Sequence, residues 1–502
     1  MTAPAPAPAR RSPVELPGPE GDNSIAREPL WYAYGAGADR PEPPPWTWTP
    51  EPPPDTHVAP EPPRASAPRE TLPLGTVDLL EAMPYPALPP PRDVPDRLAR
   101  ALITAFGPQR REPENPYNDH RPYASPRCLF PVHAFVAGGS GGAPWRVLDP
   151  GRYALTGEPG GGAPRRIALT GRYTSIPAAY KWFRGSLVAL ELGIVLRALG
   201  VGFELFDVPA RLSLPGPDGH ELLGDLGLDP AWEWSLPLTL DVGDPAPVLP
   251  VRRRAAVPDL RDPSLADLVR VNRQQTYDSS PVPVGRAIPR DLPVSRTVPN
   301  WAELLWQRHS GRMPRALHGM SGRRARLPAE AFDSALRWLA VPPPGPDLAA
   351  AFDAVNVTAV VQGVDGHEDG VHRAVPGGAR LLRADPEAPA RLEEHYGYGV
   401  SPVNGCRIRH APMTVFFSVR PRDLFARSGP AGWGAAQHAV GWAAHGLCLS
   451  AAASGLFARP VRAFKEIPTQ RVLGLDPDET IVLSVVVGAP QDSGGALLDL
   501  RL

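Results

Sequence analysis

Cysteine is scarce in this sequence, and its charges nearly balance. Three of the 502 residues are cysteines (Cys128, Cys406 and Cys448), which are too few and too scattered for a disulfide framework or a zinc cluster. This usage fits a reducing compartment, so we predict a cytoplasmic protein without a bound metal. The formal net charge of -1 gives no basis for nucleic acid as the main partner.

Long apolar runs are also lacking. No segment reaches the roughly 20 uncharged apolar residues that a membrane span needs. The first six residues, Met-Thr-Ala-Pro-Ala-Pro, lack the apolar core of a signal peptide. We therefore expect neither a membrane anchor nor a secretion signal.

Proline, by contrast, is abundant, with 69 residues that are concentrated at the front and in the middle of the chain. Residues 1–70 are predicted to form a mostly extended arm, because the proline triplets 43–45 and 52–54 are incompatible with a helix or a central strand. The arm's aromatic side chains are costly to leave in water. It therefore packs on the folded body, binds a partner, or is a disordered tail with scattered aromatics. Residues 245–298, rich in proline and arginine, are predicted to be a solvated linker.

Residues 71–244 are predicted to form a first folded unit. Apolar residues at helical spacing occur at 94–106, and alternation with β-branched residues indicates strands at 132–137 and 166–173. A helix from about residue 180 to 199 is apolar on every face and should be central and buried. Gly200 and Gly202 are predicted to end this helix.

Residues 299–502 are predicted to form a second folded unit that repeats the order of the first. The string Leu-Gly-Leu-Asp-Pro occurs at 226–230 and again 247 residues later, and each copy precedes a strand and then a glycine. Upstream of the second copy lie a strand at 413–419 and an Ala-rich apolar helix at 435–454. This recurring order predicts a tandem duplication.

One motif in the second unit indicates anion binding: Arg308-His309-Ser310-Gly311-Arg312, which follows the helical run 301–306. On an extended segment alternate side chains point the same way, so two guanidiniums and a hydroxyl could face one phosphate. An Arg-rich surface turn would give the same string. A further helix is predicted at 327–339 from its apolar spacing.

This motif resembles the Arg-x-Ser-x-Arg sequence at the start of the nitroreductase fold, where these side chains hold the phosphate and ribityl chain of FMN. Residues 301–502 look like a nitroreductase-fold FMN domain, and the first unit looks like its diverged partner. Together they resemble the SagB-type azoline dehydrogenases, which oxidise thiazolines and oxazolines to thiazoles and oxazoles in ribosomally made peptides. The resemblance implies an α+β fold in which two tandem nitroreductase-like α/β/α halves form an intramolecular pseudo-dimer.

The resemblance also implies one composite FMN site built from both units. The segment 125–131, Ser-Pro-Arg-Cys-Leu-Phe-Pro, resembles the Ser-Pro loop that lies against the flavin in the dehydrogenases, and it occurs only in the first unit. The phosphate motif occurs only in the second unit, so a second site is expected to be lost. The alternative is that both motifs arose by chance and no cofactor binds. The residues expected to contact FMN are Ser125, Pro126, Arg127 and Leu129 of the loop, Arg308, Ser310 and Arg312 of the motif, Pro460, Arg462 and Ala463 of the turn 459–464 beside the flavin ring, and Arg501 after the last strand.

For catalysis the resemblance points to Tyr180 and Lys181. Aromatising an azoline removes a proton from the α-carbon and a hydride from the neighbouring ring carbon, so a base is needed beside the flavin. The dehydrogenases carry a Lys-Tyr pair at this place. Lys181 matches the lysine, whereas Trp182 takes the place of the tyrosine unless Tyr180 substitutes for it. A lone lysine at a helix start also commonly snorkels to solvent, which is the alternative role of Lys181.

Three classes of function remain open from the sequence. The first is an FMN-dependent azoline dehydrogenase that acts on a precursor peptide after a cyclodehydratase, either alone or within the cyclodehydratase complex. The second is a small-molecule nitroreductase or flavin reductase, which usually consists of two identical short chains rather than a fused pair. The third is a flavin-free scaffold protein in a peptide-modifying complex. The sequence leaves open whether two chains pair into a dimer.

Overall fold

The computed structural model describes residues 67–88, 94–113, 119–138, 144–158, 164–180, 183–228, 231–243, 268–269, 271–272, 274–311, 324–396, 408–490 and 497–502. The predicted arm up to residue 66, the Arg252–254 charge run, Lys181 and Arg312 lie outside these ranges. We call residues 71–244 the N-terminal unit and residues 299–502 the C-terminal unit.

Helices and strands are mixed throughout the chain, as the predicted α+β class requires. The elements up to residue 298 are β1 (Arg69–Thr71), α1 (Thr76–Glu81), α2 (Arg97–Phe106), β2 (Arg110–Arg111), β3 (Asp119–His120), β4 (Val132–Gly138), β5 (Arg146–Asp149), β6 (Ala154–Thr156), β7 (Pro164–Gly171), α3 (Phe183–Leu205), β8 (Ala210–Ser213), α4 (Gly219–Asp225), β9 (Leu238–Val242) and β10 (Val282–Pro283).

The C-terminal unit continues the mixed composition. Its elements are α5 (Trp301–Gln307), α6 (Ala329–Leu339), α7 (Pro346–Asp353), β11 (Val355–Val361), β12 (Gly370–Val375), β13 (Gly378–Ala384), α8 (Ala388–Glu394), β14 (Met413–Val419), α9 (Pro421–Ser428), α10 (Gly432–Ala453), β15 (Phe457–Val461), α11 (Glu466–Leu473), β16 (Thr480–Gly488) and β17 (Leu498–Asp499). The predicted strand at 413–419 is confirmed to the residue.

Each unit contains one large antiparallel sheet, and the inner strand order of the two sheets is the same. In the N-terminal unit the order is β1-β6-β5-β4-β7-β9-β8-β10, and in the C-terminal unit it is β13-β12-β11-β14-β16-β15. The six strands from β6 to β8 therefore follow the same path as the six from β13 to β15. The turn glycines Gly227 and Gly474, each before the last long strand of its unit, share a left-handed backbone with φ of 70° and 69°.

Two long helices, α3 and α10, pack against each other at the centre of the molecule. Nearly all their residues are buried because both are apolar on every face, as predicted. Ser186 meets Gln437 near the start of both helices, and Arg197 meets Trp442 further on, so the helices run in the same direction. Among the described residues, Phe183–Leu205 is long and apolar enough to cross a membrane. Its most apolar 18-residue stretch is 94% buried inside the protein, and a helix at the centre of a folded core has the same length and composition.

Gly200 and Gly202 do not end α3, and this prediction was wrong. The helix continues through both residues to Leu205. Their role is close packing: a Cβ on Gly202 would lie 2.7 Å from the carbonyl oxygen of Ala101 in α2, and one on Gly200 would lie 2.8 Å from Ala287. A glycine after an apolar run can allow a neighbouring backbone to approach as well as cap a helix. Helix α10, by contrast, does end close to a glycine, since Gly455 lies two residues after its last residue with φ of 68°.

The segment before the C-terminal unit is packed where the structure describes it. Strand β10 pairs with β8 and extends the N-terminal sheet. Val284, Ala287 and Ile288 are buried, and the Glu204 carboxylate accepts hydrogen bonds from the last two backbone N–H groups. The region predicted as a solvated linker therefore includes a part that fills space against α3.

The chain's last residues cross back to the N-terminal unit. Strand β17 pairs with β2, and β2 pairs with β3, in a small three-stranded sheet. The Tyr153 hydroxyl lies 2.7 Å from the carbonyl oxygen of Leu500. This crossing places the C-terminal residues beside α5.

Candidate functional site

Arg308, the first residue of the predicted phosphate motif, is a buried cation that lacks a full set of partners. It follows α5, whose start is capped by the Asn300 side chain, and its backbone is extended. Its side chain is 3% exposed, and one terminal nitrogen donates to the carbonyl oxygen of Arg121 at 2.8 Å. Its Nε and Nη1 groups have no hydrogen-bond partner among the described residues. Burial lowers the pKa of Arg308, and no carboxylate of the described residues is among the groups that oppose this effect.

The surroundings of Arg308 come from both units. After burial, the ionisable groups that act on the pKa of Arg308 are Cys448 on α10 and Cys128 and Tyr123 of the N-terminal unit. His445 stands three residues before Cys448, on the same face of α10. Both of its ring nitrogens are buried without a partner in the part of the chain that is described. Burial, and then the charges of Arg197 and Arg308, hold the pKa of His445 well below its usual value, so it is neutral.

The predicted Ser-Pro loop, residues 125–131, lies on this same side of the molecule. Pro126–Cys128 form a single 3-10 turn. Arg127, Cys128 and Phe130 all have positive φ, between 49° and 55°. Non-glycine residues in this region cost about 1 kcal/mol or more each and persist only where the surroundings hold them. Such concentrated strain is typical of functional loops.

A buried carboxyl, Glu191 of α3, holds the loop from behind. The Ser125 hydroxyl donates to it at 2.6 Å and accepts a bond from the Phe130 N–H at 2.8 Å. Burial raises the pKa of Glu191 to about 8, although the hydrogen bonds from the Ser125 hydroxyl and the Val132 N–H, and the charge of Arg121, oppose the rise. We did not single out Glu191 from the sequence. Its signal was a lone acidic residue inside the helix segment 185–196, which is otherwise uncharged.

Arg501, predicted to reach the phosphate, lies near the motif but is already paired. It forms a two-pronged ion pair with Asp499 and stacks 4.4 Å above the Trp306 ring at the end of α5. Arg110 of β2 approaches the same ring and donates to the Trp306 carbonyl oxygen. These contacts place two arginines, each paired with an acid, around the Trp306 ring, two residues before Arg308.

The other predicted cofactor residues are spread around β15. The segment 309–311 runs beside this strand, since the Ala458 N–H donates to the His309 carbonyl oxygen and Arg459 donates to that of Ser310. Pro460 pairs with Val485 in the sheet. Arg462 is buried in an ion pair with Glu466 at 2.7 Å, and Ala463 beside it is half-buried. Ser310 therefore lies between Arg308 and strand β15, whereas the Arg462 side chain is buried against Glu466.

Tyr180 stands directly before α3. It ends a short 3-10 turn, Ala178–Tyr180, and its ring stacks on Phe183 with 6.4 Å between centroids. Lys181, the predicted base, lies outside the described residues, as does Arg312. Two parts of the predicted site therefore lie close together in the described structure. They are Arg308 of the C-terminal unit and Cys128 of the Ser-Pro loop in the N-terminal unit.

The residues around Arg308 fit a phosphate monoester. A buried guanidinium with two unused N–H donors is costly unless an anion completes its bonding. Glu112, the nearby acid, is engaged with Arg110 and His120, so it offsets the charge of Arg110 and not that of Arg308. Glu191, with a pKa of about 8, is mostly neutral at pH 7. An anionic group carrying two negative charges would be stabilised in this environment.

Comparison with known proteins identifies the architecture. The structure is similar to a putative nitroreductase from Anabaena variabilis, with a TM-score of 0.65 and 16% sequence identity over 93% of this chain and 99% of that chain. The chain has a nitroreductase-like fold. The nitroreductase family model also matches residues 367–489 of the sequence. At this identity the similarity establishes the fold and not the activity.

Two further solved structures overlap with part of the nitroreductase-like fold. An E. coli microcin synthetase complex gives a TM-score of 0.30 at 13% identity, over 34% of this chain and 67% of that chain. A putative nitroreductase from Ralstonia eutropha gives 0.28 at 17% identity, over 38% and 83%. These scores are too low to carry an argument. No curated protein sequence matches the chain significantly.

Proposed function

We propose that this protein is an FMN-dependent dehydrogenase that oxidises thiazoline or oxazoline rings to thiazole or oxazole in a ribosomally synthesised peptide. The observation that carries the flavin part is Arg308, a buried guanidinium with two unused donors and no carboxylate partner. In a nitroreductase-like fold, the phosphate of FMN is the anion that such a cation suits. The azoline part is supported by the Ser-Pro loop and by the Tyr180-Lys181 pair at the start of α3.

We further propose that the two units form an intramolecular pseudo-dimer. A Cβ on Gly193 would meet the His438 carbonyl oxygen, and one on Gly441 would meet that of Leu190. Both Gly193 to Gly441 and Leu190 to His438 are steps of 248 residues, so each helix uses the same two positions against the other. Reciprocal contacts of this kind define a two-fold interface. The shared strand order of the two sheets supports the same arrangement.

The proposed cofactor site is composite. Arg308, Ser310 and Arg312 would hold the phosphate and ribityl chain, with His445 and Arg501 nearby. Ser125, Pro126, Arg127 and Leu129 would lie along the flavin, and Pro460, Arg462 and Ala463 complete the predicted set, although Arg462 is engaged by Glu466. When bound, FMN supplies a two-electron acceptor for the hydride that leaves the azoline ring.

The chain's own catalytic contribution is proton removal. We assign Lys181 as the base that takes the proton from the azoline α-carbon, with Tyr180 beside it to orient the ring. A lysine performs this role only where it is partly neutral, which burial favours. The substrate would be a precursor peptide whose azolines were formed by a cyclodehydratase, and a complex with that enzyme would deliver them. We place this reaction in the cytoplasm.

A small-molecule nitroreductase is the second candidate function. Whole-chain structural similarity to a protein described as a putative nitroreductase favours it. It would require a nicotinamide donor to reduce the flavin, whereas azoline oxidation reduces the flavin with substrate. Flavin reduction under anaerobic conditions, by NADH or NADPH on one side and by a thiazoline peptide on the other, therefore separates the two.

The decisive test is flavin binding by the purified protein. We expect the visible absorbance bands of bound FMN in the wild type and their loss in Arg308→Ala/Arg312→Ala. Because a hydrogen bond to a charged group contributes about 1.5–3 kcal/mol, Arg308→Ala alone should weaken FMN binding by about tenfold to a hundredfold. Riboflavin, which has no phosphate but keeps the ribityl chain, should lose much less affinity than FMN in the double variant.

Arg337→Ala, at an exposed arginine of the same unit, is the matched control and should bind FMN like the wild type. If FMN binds, thiazoline peptide oxidation by Lys181→Ala tests the base. A wild type that stays colourless and is not stabilised by added FMN would reject the enzyme and leave a flavin-free scaffold.

A further inference from the structure

Glu191 is an unusual residue for the centre of a buried apolar helix. Its side chain is 1% exposed, and no ion pair to a cation is formed by it in the described part of the chain. One carboxyl oxygen accepts a hydrogen bond from the Ser125 hydroxyl at 2.6 Å. The other accepts from the Val132 N–H, with 3.4 Å between nitrogen and oxygen. Burying an unpaired carboxyl is costly, so we expect these two hydrogen bonds to have a role that offsets the cost.

The two contacts lie at the two ends of the Ser-Pro loop. Ser125 opens the loop, and Val132 is the first residue of β4 after it. The Ser125 hydroxyl also accepts the Phe130 N–H, so one carboxyl and one hydroxyl fix both ends of the turn. Between these ends stand the three residues with positive φ, Arg127, Cys128 and Phe130, which need external support.

The carboxyl is present only in the helix that faces this loop. The step of 248 residues that relates Gly193 to Gly441 places Ala439 of α10 at the position equivalent to Glu191. Ala439 is fully buried and carries no polar group. The C-terminal unit, where no Ser-Pro loop precedes β11, therefore has no clamp. Loop and carboxyl occur together, which is expected if the carboxyl serves the loop.

We infer that Glu191 is a positioning residue, which clamps the Ser-Pro loop in the strained shape needed to receive the flavin. This inference rests on the proposed function and names a residue that the family resemblance did not supply. The groups that face the carboxyl are the Ser125 hydroxyl, the Val132 N–H, Tyr123 and, at longer range, Arg121. Its electrostatic partners thus all belong to the segment 121–132.

The test compares Glu191→Ala, Glu191→Gln and Glu204→Ala. Glu204 is the matched control, because it lies on the same helix and also accepts two hydrogen bonds, from the N–H groups of Ala287 and Ile288, away from the loop. Two readouts are taken on the full chain. The first is hydrogen exchange of the loop peptide 125–132 without cofactor, and the second is the Kd for FMN and for riboflavin by flavin fluorescence.

We expect Glu191→Ala to raise exchange in the loop by about tenfold or more, since two hydrogen bonds of the clamp are lost. It should also raise the Kd for FMN and riboflavin alike, by about tenfold, because the loop faces the ring and not the phosphate. Glu191→Gln keeps an acceptor for Ser125, so its values should stay within about threefold of the wild type. Glu204→Ala should raise exchange at 287–288 only.

Two outcomes would overturn the inference. Unchanged loop exchange in Glu191→Ala would show that the carboxyl does not hold the loop. Raised exchange with unchanged flavin affinity would show that the loop shape does not matter for the cofactor. Failure of the proposed function is separately visible, because the wild type itself would then bind neither FMN nor riboflavin.

Discussion

Two buried arginines differ in how many hydrogen bonds their guanidinium groups make. This difference distinguishes an arginine that stabilises the fold from one that is suited to bind a ligand. Arg197 of α3 donates to the carbonyl oxygens of Ala287, Trp442 and Trp338 at 2.9–3.1 Å. The rings of the two tryptophans also lie 5.1 and 5.3 Å from its guanidinium. Burial lowers the pKa of Arg197 to about 9, so it remains charged at neutral pH. Arg308 donates to one such carbonyl oxygen, and two of its nitrogens have no partner among the described residues. It is therefore suited to bind an external anion.

We predict that Arg197→Ala destabilises the protein by about 3 kcal/mol or more, because it removes three buried hydrogen bonds from a charged donor and opens a cavity. Arg197→Lys should recover only part of this loss, since one ammonium cannot reach three acceptors in a planar fork. Urea unfolding of the cofactor-free protein measures the difference. Arg337→Ala, at the exposed arginine that donates to the Asp291 carbonyl, should cost under about 1 kcal/mol. Equal losses at both positions would contradict this account.

At the scale of elements, the contact between α3 and α10 depends on glycine. A Cβ on Gly193 would lie 1.9 Å from the His438 carbonyl oxygen, and one on Gly441 would lie 2.1 Å from that of Leu190. Backbone atoms of a packed helix cannot move aside as a flexible side chain can. The two helices can therefore approach this closely only because neither position carries a side chain.

Gly193→Ala and Gly441→Ala are each predicted to destabilise the fold by about 2 kcal/mol or more, since overpacking at backbone contacts forces the helices apart. Thermal unfolding of the full chain measures this. Gly224→Ala on α4, where a Cβ would meet nothing within 4 Å, should instead be neutral or stabilising by roughly 0.5–1 kcal/mol. A loss at Gly224 as large as at Gly193 would point to a general effect of glycine replacement.

At the scale of the whole molecule, the two units are built alike, but their interface is not symmetric. Arg197 stands 248 residues before His445, so the step that relates Gly193 to Gly441 relates these two residues as well. The charges of Arg197 and Arg308 both act on His445, whose ring nitrogens have no partner among the described residues, whereas Arg197 donates into the packed segment that contains Ala287. The position on α3 that is equivalent to His445 is thus occupied by Arg197, whose hydrogen bonds are all made within the protein.

We therefore predict that one FMN binds per chain at saturation, because in the described part of the chain Arg308 has unused donors whereas Arg197 has none. Isothermal titration of the cofactor-free protein with FMN gives the stoichiometry directly. Arg308→Ala should reduce the heat of this single event and reveal no second one. A ratio of two FMN per chain would mean that the second position also opens, and would contradict the asymmetric interface.

Much of the element pattern could be predicted because it depends on local sequence. The strand at 413–419 was predicted to the residue, and the strands predicted at 132–137 and 166–173 are found as Val132–Gly138 and Pro164–Gly171. The short strands β5, β6 and β13 were not predicted, because β5 and β6 have three or four residues and β13 exposes most of its side chains. Such segments become strands only through pairing with a neighbour. The end of α3 was misjudged because Gly200 and Gly202 serve a contact with residues about 85 to 100 positions away.

For the site, the sequence indicated the charged and loop residues but not their supports. Arg308 and Ser125 were found from motif resemblance. Glu191 and His445 were missed, since a single polar residue in an apolar helix does not show what it faces. Whether Arg462 faces a ligand or Glu466 was equally undecidable from sequence, because both partners are compatible with its position in the turn.

By itself, the sequence determined the repeat, the two buried helices and the presence of a phosphate motif in one unit and a Ser-Pro loop in the other. These follow from local spacing and composition, which act on neighbouring residues. The tertiary structure alone decided that Cys128 of the loop lies near Arg308, that Glu191 holds the loop from behind, and that Arg197 is satisfied while Arg308 is not. Those facts depend on which distant atoms meet in the folded chain, and hydrogen bonding of a buried charge is decided only there.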